Sequence, residues 1–450
     1  MSDSQFSRRH FFYGSLLAGA VPAAGFGSTP SLKQLGYKSP LEKLNIAAIG
    51  AGGKGASDIA GCRTENLVAM ADPDEKRAAR TFTQYPNVPK YKDFRRMFDK
   101  EAKNIDAVLV SCPDHMHASA AMWAMARGKH VYCQKPLTRT VWEAQQLTQA
   151  AAKYGVATQM GNQGYSNVGA RECCEIIWNG DIGEVKEIHA WTNRPMKYWP
   201  QGPDVVPQEA AVPSTLDWDA WLGGSPMRPY SPAYVPHNWR GFPDFGCGAI
   251  GDMACHILGT PNMAMRLTVP SSVECIKKEG VGKYTFPTRT VIRFDFPARP
   301  NMAPVSIFWH DGLTEKFTFE GVPSDELLGD EDINGSLFVG DKGMVTTGCY
   351  GERTRLVPNA RMADYRKPQP LLTRSPGHYQ DWIRSCKGGE KSCSNFSVAG
   401  PFVQWMLLGV IAMKFEGKLE WDPQKMQFTN NKEANEYLKP KFRKGWKFLG

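Results

Sequence analysis

Three residues, Lys135, Asp252 and His256, have types and positions suited to acid–base chemistry. Asp252 and His256 lie four residues apart in a Gly-rich stretch, residues 246–256, so on a helix they would share one face. Lys135 precedes Pro136, and the X-Pro bond imposes an extended or cis geometry that can direct the lysine into a cleft. A satisfied core histidine is the usual alternative for His256, but the neighbouring Asp and the Lys-Pro pair argue against it.

These residue types suit the oxidation of an alcohol by loss of hydride. That reaction needs a base that titrates near neutrality and a cation beside the developing oxyanion. The sequence therefore predicts His256 as the base and Lys135 as the cationic hydrogen-bond donor. Asp252 is predicted to bind substrate and to raise the basicity of His256.

A glycine-rich loop follows the first apolar run and indicates a dinucleotide site. The residues predicted to hold the cofactor there are Gly50, Gly52, Gly53, Lys54 and Gly55. Glycines permit a tight turn and close approach to a pyrophosphate, and the following helix N-terminus favours negative charge. Asp72 ends the next strand, about 20 residues further along, where a carboxylate can bind a ribose diol. That carboxylate favours NAD, whereas Lys76 and Arg77 leave NADP open; a surface turn is the alternative.

Alternating apolar runs and amphipathic stretches predict a doubly wound parallel sheet for this half. The predicted strands are 44–49, 66–71, 105–111, 130–133 and 156–160, and the predicted helices are 74–82, 94–102, 116–127 and 141–154. Ligands bind at the carboxyl edge of such sheets. Further cofactor contacts are therefore predicted at that edge: Ser111, Pro113, Asp114, His117, Gln134, Lys135, Asn162 and Gln163. His115 and His117 have no third metal ligand nearby, so no metal site is predicted.

Beyond residue 164 the apolar runs alternate in the manner of antiparallel strands. The predicted strands are 185–191, 290–296, 305–309, 316–319 and 336–339, with a hairpin turned at 340–343, and a last helix is predicted at 398–415. The stretch 200–243 is dense in Pro and Trp, and is interpreted as a lid, a subunit contact or core. The candidate substrate ligands at the end of this stretch are Trp239, Arg240 and Asp244. Asp252 and His256 are further candidates.

Taken together, the glycine loop, Pro113-Asp114-His115-Met116-His117, Gln134-Lys135-Pro136, residues 161–163 and residues 251–256 resemble the Gfo/Idh/MocA family of oxidoreductases. The resemblance implies an NAD(P)-binding Rossmann domain at 41–165 and an α/β domain with a large, mostly antiparallel sheet at 166–425, followed by a tail at 426–450. It further implies a sugar or polyol in the cleft and a homo-oligomer, a dimer or a tetramer. Gln134 departs from the usual Glu, which puts proton relay through Lys135 in doubt.

Two other functions remain open beside an oxidoreductase acting on a secondary hydroxyl. Some relatives are NAD-dependent glycosidases that oxidise the sugar transiently, but they commonly replace the Lys-Pro motif that this chain keeps at Lys135 and Pro136. A redox-silent sugar-binding protein is the third possibility. The joint presence of Lys135, Asp252 and His256 argues against it.

Composition and the N-terminus restrict the class of protein further. With 450 residues, 42% hydrophobic, the chain predicts two or three globular domains and excludes disorder as the main state. A net charge of +9 without a basic arm predicts no nucleic-acid partner. Arg8 and Arg9, followed by a weakly apolar run at 13–27, are typical of a twin-arginine signal, so residues 1–40 are assigned to signal and linker. The expected partner is then the twin-arginine translocase, and the expected location the periplasm.

Overall fold

The computed structural model describes residues 42–446 and Phe448, and the predicted export signal lies outside these described residues. A first sheet of six parallel strands runs in the order β3-β2-β1-β4-β5-β6. Its strands are β1 Asn45–Ile49, β2 Asn66–Ala71, β3 Lys90–Tyr91, β4 Ala107–Val110, β5 His130–Cys133 and β6 Thr158–Met160. All four residues of β4 are buried, as expected for a sheet covered by helices on both faces. The predicted doubly wound sheet is confirmed.

Helices cover both faces of this sheet. They are Lys54–Gly61, Glu75–Gln84, Phe94–Glu101, Asp114–Met125, Val141–Tyr154 and, leading out of the sheet, Val168–Asn179. Local sequence explains where several of them begin. Asp74 and Asp93 each accept an amide hydrogen bond at a helix start, and Thr140 forms a capping box with Glu143.

A second sheet of nine strands runs in the order β13-β12-β11-β7-β10-β9-β8-β14-β15, with β7 and β10 parallel and the other pairs antiparallel. Its strands are β7 Val185–Trp191, β8 Ser272–Glu279, β9 Arg289–Phe296, β10 Val305–His310, β11 Gly335–Gly340, β12 Gly343–Thr347, β13 Arg355–Val357, β14 Leu419–Asp422 and β15 Gln427–Phe428. Strand β9 alternates between buried and half-buried residues, so one face of the sheet packs on the core. The mostly antiparallel second sheet is thus confirmed.

The remaining helical segments connect and cover the sheets. They are Trp218–Leu222, the π-helical turn Ile250–Ala254, Cys255–Ile257, Gly259–Ala264, His378–Cys386 and Phe396–Ala412, with 3₁₀ turns at Ala102–Asn104, Gln163–Ser166, Asn238–Gly241, Asn359–Met362 and Ala434–Tyr437. The long helix Phe396–Ala412 packs against both halves, since Trp405 meets Phe294 of β9 and Gly400 abuts Thr148.

One predicted strand was wrong and one helix was missed. Residues 316–319 are a loop and not a strand, because Phe317 stacks on Trp191 with ring centroids 4.2 Å apart and does not pair with a neighbouring strand. The helix Val168–Asn179 was missed, because its buried residues obscure a helical period. Pro261 lies in the first turn of Gly259–Ala264, where a proline loses no helical hydrogen bond.

Within residues 42–446 and 448, no helix is long and apolar enough to cross a bilayer. The eleven cysteines all lie in this part of the chain and are free thiols, nine of them buried. Burial raises the pKa of the Cys133 and Cys247 thiols well above the usual value. These cysteines therefore behave as small apolar side chains and not as reactive thiolates.

Candidate active site

A cavity of about 1020 Å³ lies at the carboxyl edge of the parallel sheet. One end is lined by the glycine-rich loop between β1 and the helix Lys54–Gly61, and the other by residues of the second half of the chain. We call these the cofactor end and the chemistry end. A cavity of this volume can hold a large ligand and a small one side by side.

The cofactor end has a shape that only glycine permits. Gly50 has φ +87°, and a Cβ added there would lie 2.6 Å from the carbonyl oxygen of Ser111. A Cβ at Gly55 would clash with the carbonyl oxygen of Gly50, and one at Gly53 would clash with the guanidinium of Arg77. The loop is therefore a bare backbone cradle, as close approach to a pyrophosphate requires.

The helix Lys54–Gly61 begins at Gly53 without a side-chain cap from any described residue. Apart from the Gly55 amide, which donates to the Gly52 carbonyl at 3.0 Å, its first amide groups are thus available to an anion, in contrast to the helices Glu75–Gln84 and Phe94–Glu101, which Asp74 and Asp93 cap. The Asp72 carboxylate lies beneath the loop and accepts hydrogen bonds from the amides of Ala51 at 2.8 Å and Gly52 at 3.1 Å. This arrangement fits a dinucleotide, with the loop for its phosphates and Asp72 near its ribose.

At the chemistry end Lys135 is fixed by Asp252. The Lys135 ammonium donates to the Asp252 carboxylate at 2.8 Å and to its backbone carbonyl at 2.6 Å. Arg240 donates to the same carboxylate oxygen at 3.1 Å. Burial alone would raise the pKa of Asp252, but the Lys135 and Arg240 charges outweigh it and hold that pKa well below its usual range. Asp252 therefore stays ionised and orients two cations.

His256 lies in the same cavity, one helical turn after Asp252. Burial lowers its pKa well below the usual value, the Lys135 charge lowers it further, and the Asp252 charge raises it by less than these two effects. Its Nδ1 atom is buried and finds no hydrogen-bond partner among the residues that the structure describes. The Tyr350 ring meets the imidazole edge-on at 4.7 Å between centroids. His256 is consequently a neutral imidazole, and its pKa lies below the near-neutral range expected from sequence, because burial and the Lys135 charge outweigh the Asp252 charge.

The π-helical turn Ile250–Ala254 precedes His256 and carries Asp252. Such turns are rare and occur often at functional sites, because they rotate side chains away from a regular helical face. The Lys135–Pro136 peptide is cis, one of the two geometries expected from the X-Pro bond. The π-helical turn thus brings the Asp252 carboxylate to the Lys135 ammonium.

Gln134 reaches the cofactor end, and its side-chain oxygen accepts the backbone N–H of Lys135 at 3.3 Å. Its side-chain amide donates to both carboxylate oxygens of Asp58, each at 3.0 Å. Asp58 is fully buried and also accepts from Lys54 at 2.6 Å, Ser111 at 2.7 Å and Tyr379 at 2.8 Å. We call Asp58 and these four partners the Asp58 hub. Because Asp252 holds Lys135, the absence of a carboxylate at position 134 leaves the lysine firmly placed.

Most residues predicted from sequence line this one cavity. They are Gly50, Gly52, Gly53, Lys54, Asp72, Ser111, Pro113, Asp114, His117, Gln134, Lys135, Gln163, Trp239, Arg240, Asp252 and His256. Three do not line it. Gly55 packs beneath Gly50, Asn162 is buried and bonded to Cys255 and Ser394, and Asp244 pairs with Arg228 beside a separate small pocket. The roles assigned to these residues stay predictions.

Two predicted cofactor contacts, Asp114 and His117, begin the helix Asp114–Met125. Burial raises the pKa of Asp114 to about 7, although Arg240 and Lys135 oppose this. Burial lowers the pKa of His117 to about 4, and its ring nitrogens face the carbonyl oxygens of Pro136 and Cys112 at 2.7 and 2.8 Å. His117 therefore links the strand ends that carry Ser111 and Lys135.

Five lining or supporting residues were not found from sequence: Asp58, Arg194, His237, Tyr350 and His378. Arg194, Tyr350 and His378 come from turns or a helix start far along the chain from the recognised motifs, and nothing in the sequence indicated them. His237 lies two residues before Trp239, in the Pro- and Trp-dense stretch 200–243, and could have been named with Trp239 and Arg240. Asp58 also had a usable signal, since it follows Lys54 by four residues on the helix after the glycine loop.

Two segments match the sequence patterns of one family. Residues 44–162 match the oxidoreductase family with an NAD-binding Rossmann fold, GFO_IDH_MocA, and residues 182–274 match its C-terminal alpha/beta domain. The chain belongs to the Gfo/Idh/MocA oxidoreductases. Its first domain is an NAD-binding Rossmann domain, which confirms the cofactor predicted from the glycine loop and Asp72.

Among curated proteins, inositol 2-dehydrogenase of Serratia proteamaculans is 30% identical over 157 residues, covering 34% of this chain and 46% of that protein. The chain spans about half the length of the curated relatives that it matches.

Two solved structures share the fold at low identity. One is the WlbA dehydrogenase of Bordetella pertussis in complex with NADH and UDP-GlcNAcA, with TM-score 0.59, 15% identity, and coverage of 85% of this chain and 99% of that one. The other is a levoglucosan dehydrogenase in complex with NADH and levoglucosan, with TM-score 0.56, 18% identity, and coverage of 84% and 99%. They establish the two-sheet architecture.

Proposed function

We propose that this protein transfers hydride between NAD and a secondary hydroxyl of a sugar, polyol or glycoside. The observation that carries the proposal is the contact of Lys135 with Asp252, beside neutral His256, in the cavity that also contains the glycine cradle. The 30% identity to an inositol 2-dehydrogenase supports a polyhydroxylated substrate.

The glycine loop, the uncapped start of Lys54–Gly61 and Asp72 would hold NAD, which supplies a hydride acceptor or donor when bound. The buried Asp72 carboxylate disfavours a 2′-phosphate, so NAD is proposed in preference to NADP. The cavity then leaves its chemistry end for the substrate.

Each residue at that end has a distinct task. His256, neutral and partly desolvated, takes the hydroxyl proton as the carbonyl forms, and returns it in the reverse direction. Lys135 donates two of its three N–H groups to Asp252 and has one left for the reacting oxygen. There the ammonium stabilises developing negative charge. Asp252 positions Lys135 and is itself held by Arg240. Trp239 and Arg240 line the substrate wall.

The test is a screen of sugars, polyols and glycosides with NAD and the purified protein, following the absorbance of reduced nicotinamide. His256→Ala should lower turnover by about 100-fold or more, the usual contribution of an acid–base group. His189→Ala is the matched control, because His189 pairs with Glu187 on the second sheet and does not line the cavity. Equal loss in both variants, or none in His256→Ala, would remove His256 from the mechanism.

The same screen distinguishes an NAD-dependent glycosidase. Release of an aglycone without net formation of reduced nicotinamide would replace the proposed activity with that one. Binding of a sugar without either signal would indicate a redox-silent binding protein.

We propose export through the twin-arginine route to the periplasm, on the strength of Arg8, Arg9 and the weakly apolar run that follows. Replacing both arginines by lysine should retain the protein in the cytoplasm. Periplasmic recovery of that double variant would refute the route.

We also propose that the protein assembles as a homo-oligomer, a dimer or a tetramer, as its family resemblance implies. Light scattering on the purified protein measures the mass of the assembly directly. A mass of one chain would refute the assembly.

A further inference from the structure

The cations that line the cavity differ in whether a carboxylate neutralises them. Lys54 pairs with Asp58, Lys92 with Glu75, and both Lys135 and Arg240 with Asp252. Arg77 has no such partner among the described residues, but it lies against Gly53 in the cradle where cofactor phosphates would bind. One further cavity cation, Arg194, remains without an acidic partner in the described part of the chain.

Arg194 belongs to the chemistry end. Burial raises the pKa of the Tyr350 hydroxyl, and the charges of Asp252 and Arg194 are both near enough to act on it. The Tyr350 ring in turn contacts His256. Arg194 thus faces the region where the substrate, and not the adenosine part of the cofactor, would lie.

The guanidinium of Arg194 is held in a fixed orientation. It lies 3.1 Å from the centroid of the Tyr198 ring, and one N–H group donates to the Asn193 side chain at 2.5 Å. Its backbone is anchored as well, because its carbonyl accepts from Gly312 at 2.7 Å just beyond β10. The other N–H donors of the fork make no bond to the described residues. A planar fork held on an aromatic ring is preorganised for a two-oxygen anion.

Glu352 is an alternative partner for Arg194, since it also lines the cavity. Its carboxylate accepts the backbone N–H of Tyr350 at 2.7 Å and forms no ion pair within the described ranges. The chemistry end therefore combines three cations, Lys135, Arg194 and Arg240, with the carboxyl groups of Asp252, Glu352 and Asp114, the last with a pKa that burial raises to about 7. Of these three cations, Arg194 alone forms no ion pair with a described residue, and in a partly desolvated cavity its field on a ligand is stronger than in water.

We propose that the substrate carries a carboxylate, as in a uronic acid or its glycoside, and that Arg194 binds this group. The inference rests on the proposed function for the reacting hydroxyl but concerns a different part of the substrate. In this arrangement Arg194 sets which sugars bind, while Lys135 and His256 act on the hydroxyl.

The experiment compares matched substrates, each neutral sugar with its uronic acid: glucose with glucuronate, galactose with galacturonate, and mannose with mannuronate. Calorimetric binding and kcat/KM are measured on wild type, Arg194→Ala, Arg194→Lys and the control Arg96→Ala. Arg96 is exposed on the helix Phe94–Glu101 and does not line the cavity. Circular dichroism on each variant verifies folding.

Wild type should favour one uronic acid over its neutral partner. Arg194→Ala should weaken binding of the acid by about 10- to 100-fold, the size of a charged bidentate pair, and leave the neutral sugar nearly unchanged. Arg194→Lys should restore part of the binding, because it keeps the charge without the fork, and Arg96→Ala should match wild type.

A wild-type preference for neutral sugars, or an acid preference that survives Arg194→Ala, would overturn the inference and leave the proposed function intact. If a uronic acid binds in an Arg194-dependent way but no nicotinamide is reduced, the inference stands and the proposed function is overturned. Absence of uronate binding by the wild-type protein would also overturn the inference.

Discussion

The two ends of the cavity are built in different ways. The phosphate cradle of the cofactor end is formed by the backbone of one short segment, in which the glycines and the helix start lie about 20 residues before Asp72, although the Asp58 hub behind it draws on Gln134 and Tyr379. The chemistry end joins side chains from distant segments, since the Lys135–Asp252 contact spans 117 residues. The first end binds by shape and dipole, and the second acts by charge placement.

This difference predicts that the two ends can be damaged separately. A change in the cradle should affect cofactor affinity with little effect on the intrinsic chemistry. A change at Lys135 should do the reverse. The comparison fails if either variant shows both defects to the same degree.

The largest expected effect is that of Lys135→Ala. Turnover should fall by about 100-fold or more, because the reacting oxygen loses its charged donor and Asp252 loses its main partner. Affinity for NADH, measured by quenching of protein fluorescence, should change little. Lys186→Ala, at an exposed lysine paired with Glu184, serves as control. A large loss of NADH affinity would show that the two ends are not separable.

A smaller effect, on stability, is expected from Gln134→Glu. The new carboxylate would lie about 3 Å from buried Asp58 in place of a donating amide. The free energy of unfolding should fall by about 2 kcal/mol or more, as for an unpaired buried charge. Denaturant titration measures it.

The matched double variant Gln134→Glu with Asp58→Asn restores one amide and one carboxylate in exchanged positions. It should recover part of the lost stability, since the pair regains a donor and an acceptor. Additive losses in the double variant would contradict a direct coupling within the Asp58 hub.

Gly50→Ala should weaken NADH binding by about 10-fold, because alanine is strained at φ +87° and its Cβ would press on Ser111. Equilibrium binding of NADH gives the effect. Gly128→Ala is a useful control, since that glycine has φ +69° with open space around it and lies outside the cavity. Similar loss in both variants would attribute the effect to general strain.

A further effect, visible only in acid, is expected from His378. Burial lowers the pKa of His378 to about 3, against about 6.5 for an unfolded chain. Between these values the unfolded state binds a proton that the folded state does not, so this histidine makes stability fall as pH decreases from 6.5. His378→Asn should reduce the slope by up to about 1.4 kcal/mol per pH unit between pH 6 and 4. Denaturant titrations at several pH values measure it, and an unchanged slope would refute the assignment.

The contrast between the ends also explains what sequence could predict. The glycine cradle and most strands of the first sheet were readable, because their signals are local periodicity and spacing, and β2 and β5 have the predicted bounds. Lys135, Asp252 and His256 could be predicted as site residues from their residue types and positions. Their contacts could not be predicted, because no local pattern indicates that Arg240 would share Asp252 with Lys135.

The second half was harder for a physical reason. The loop 316–319 alternates like a strand, yet Phe317 stacks on Trp191 and the segment does not pair with a strand. Arg194 and Tyr350 reach the cavity from turns beyond β7 and β12, and turns carry no periodic signal. Such residues are positioned by the register of the large sheet, which pairs strands far apart in sequence.

The return of residues 377–394 to the first sheet has a consequence for dissecting the protein. Trp382 is fully buried among residues of β1, β4 and β5, and Ser394 accepts the amide of Met160 at the sheet edge. A fragment ending near residue 165 would therefore expose an indole-sized hole and an unpaired edge strand. Transplanting the nucleotide-binding half into another protein requires carrying this late segment with it, for example as a circular permutant.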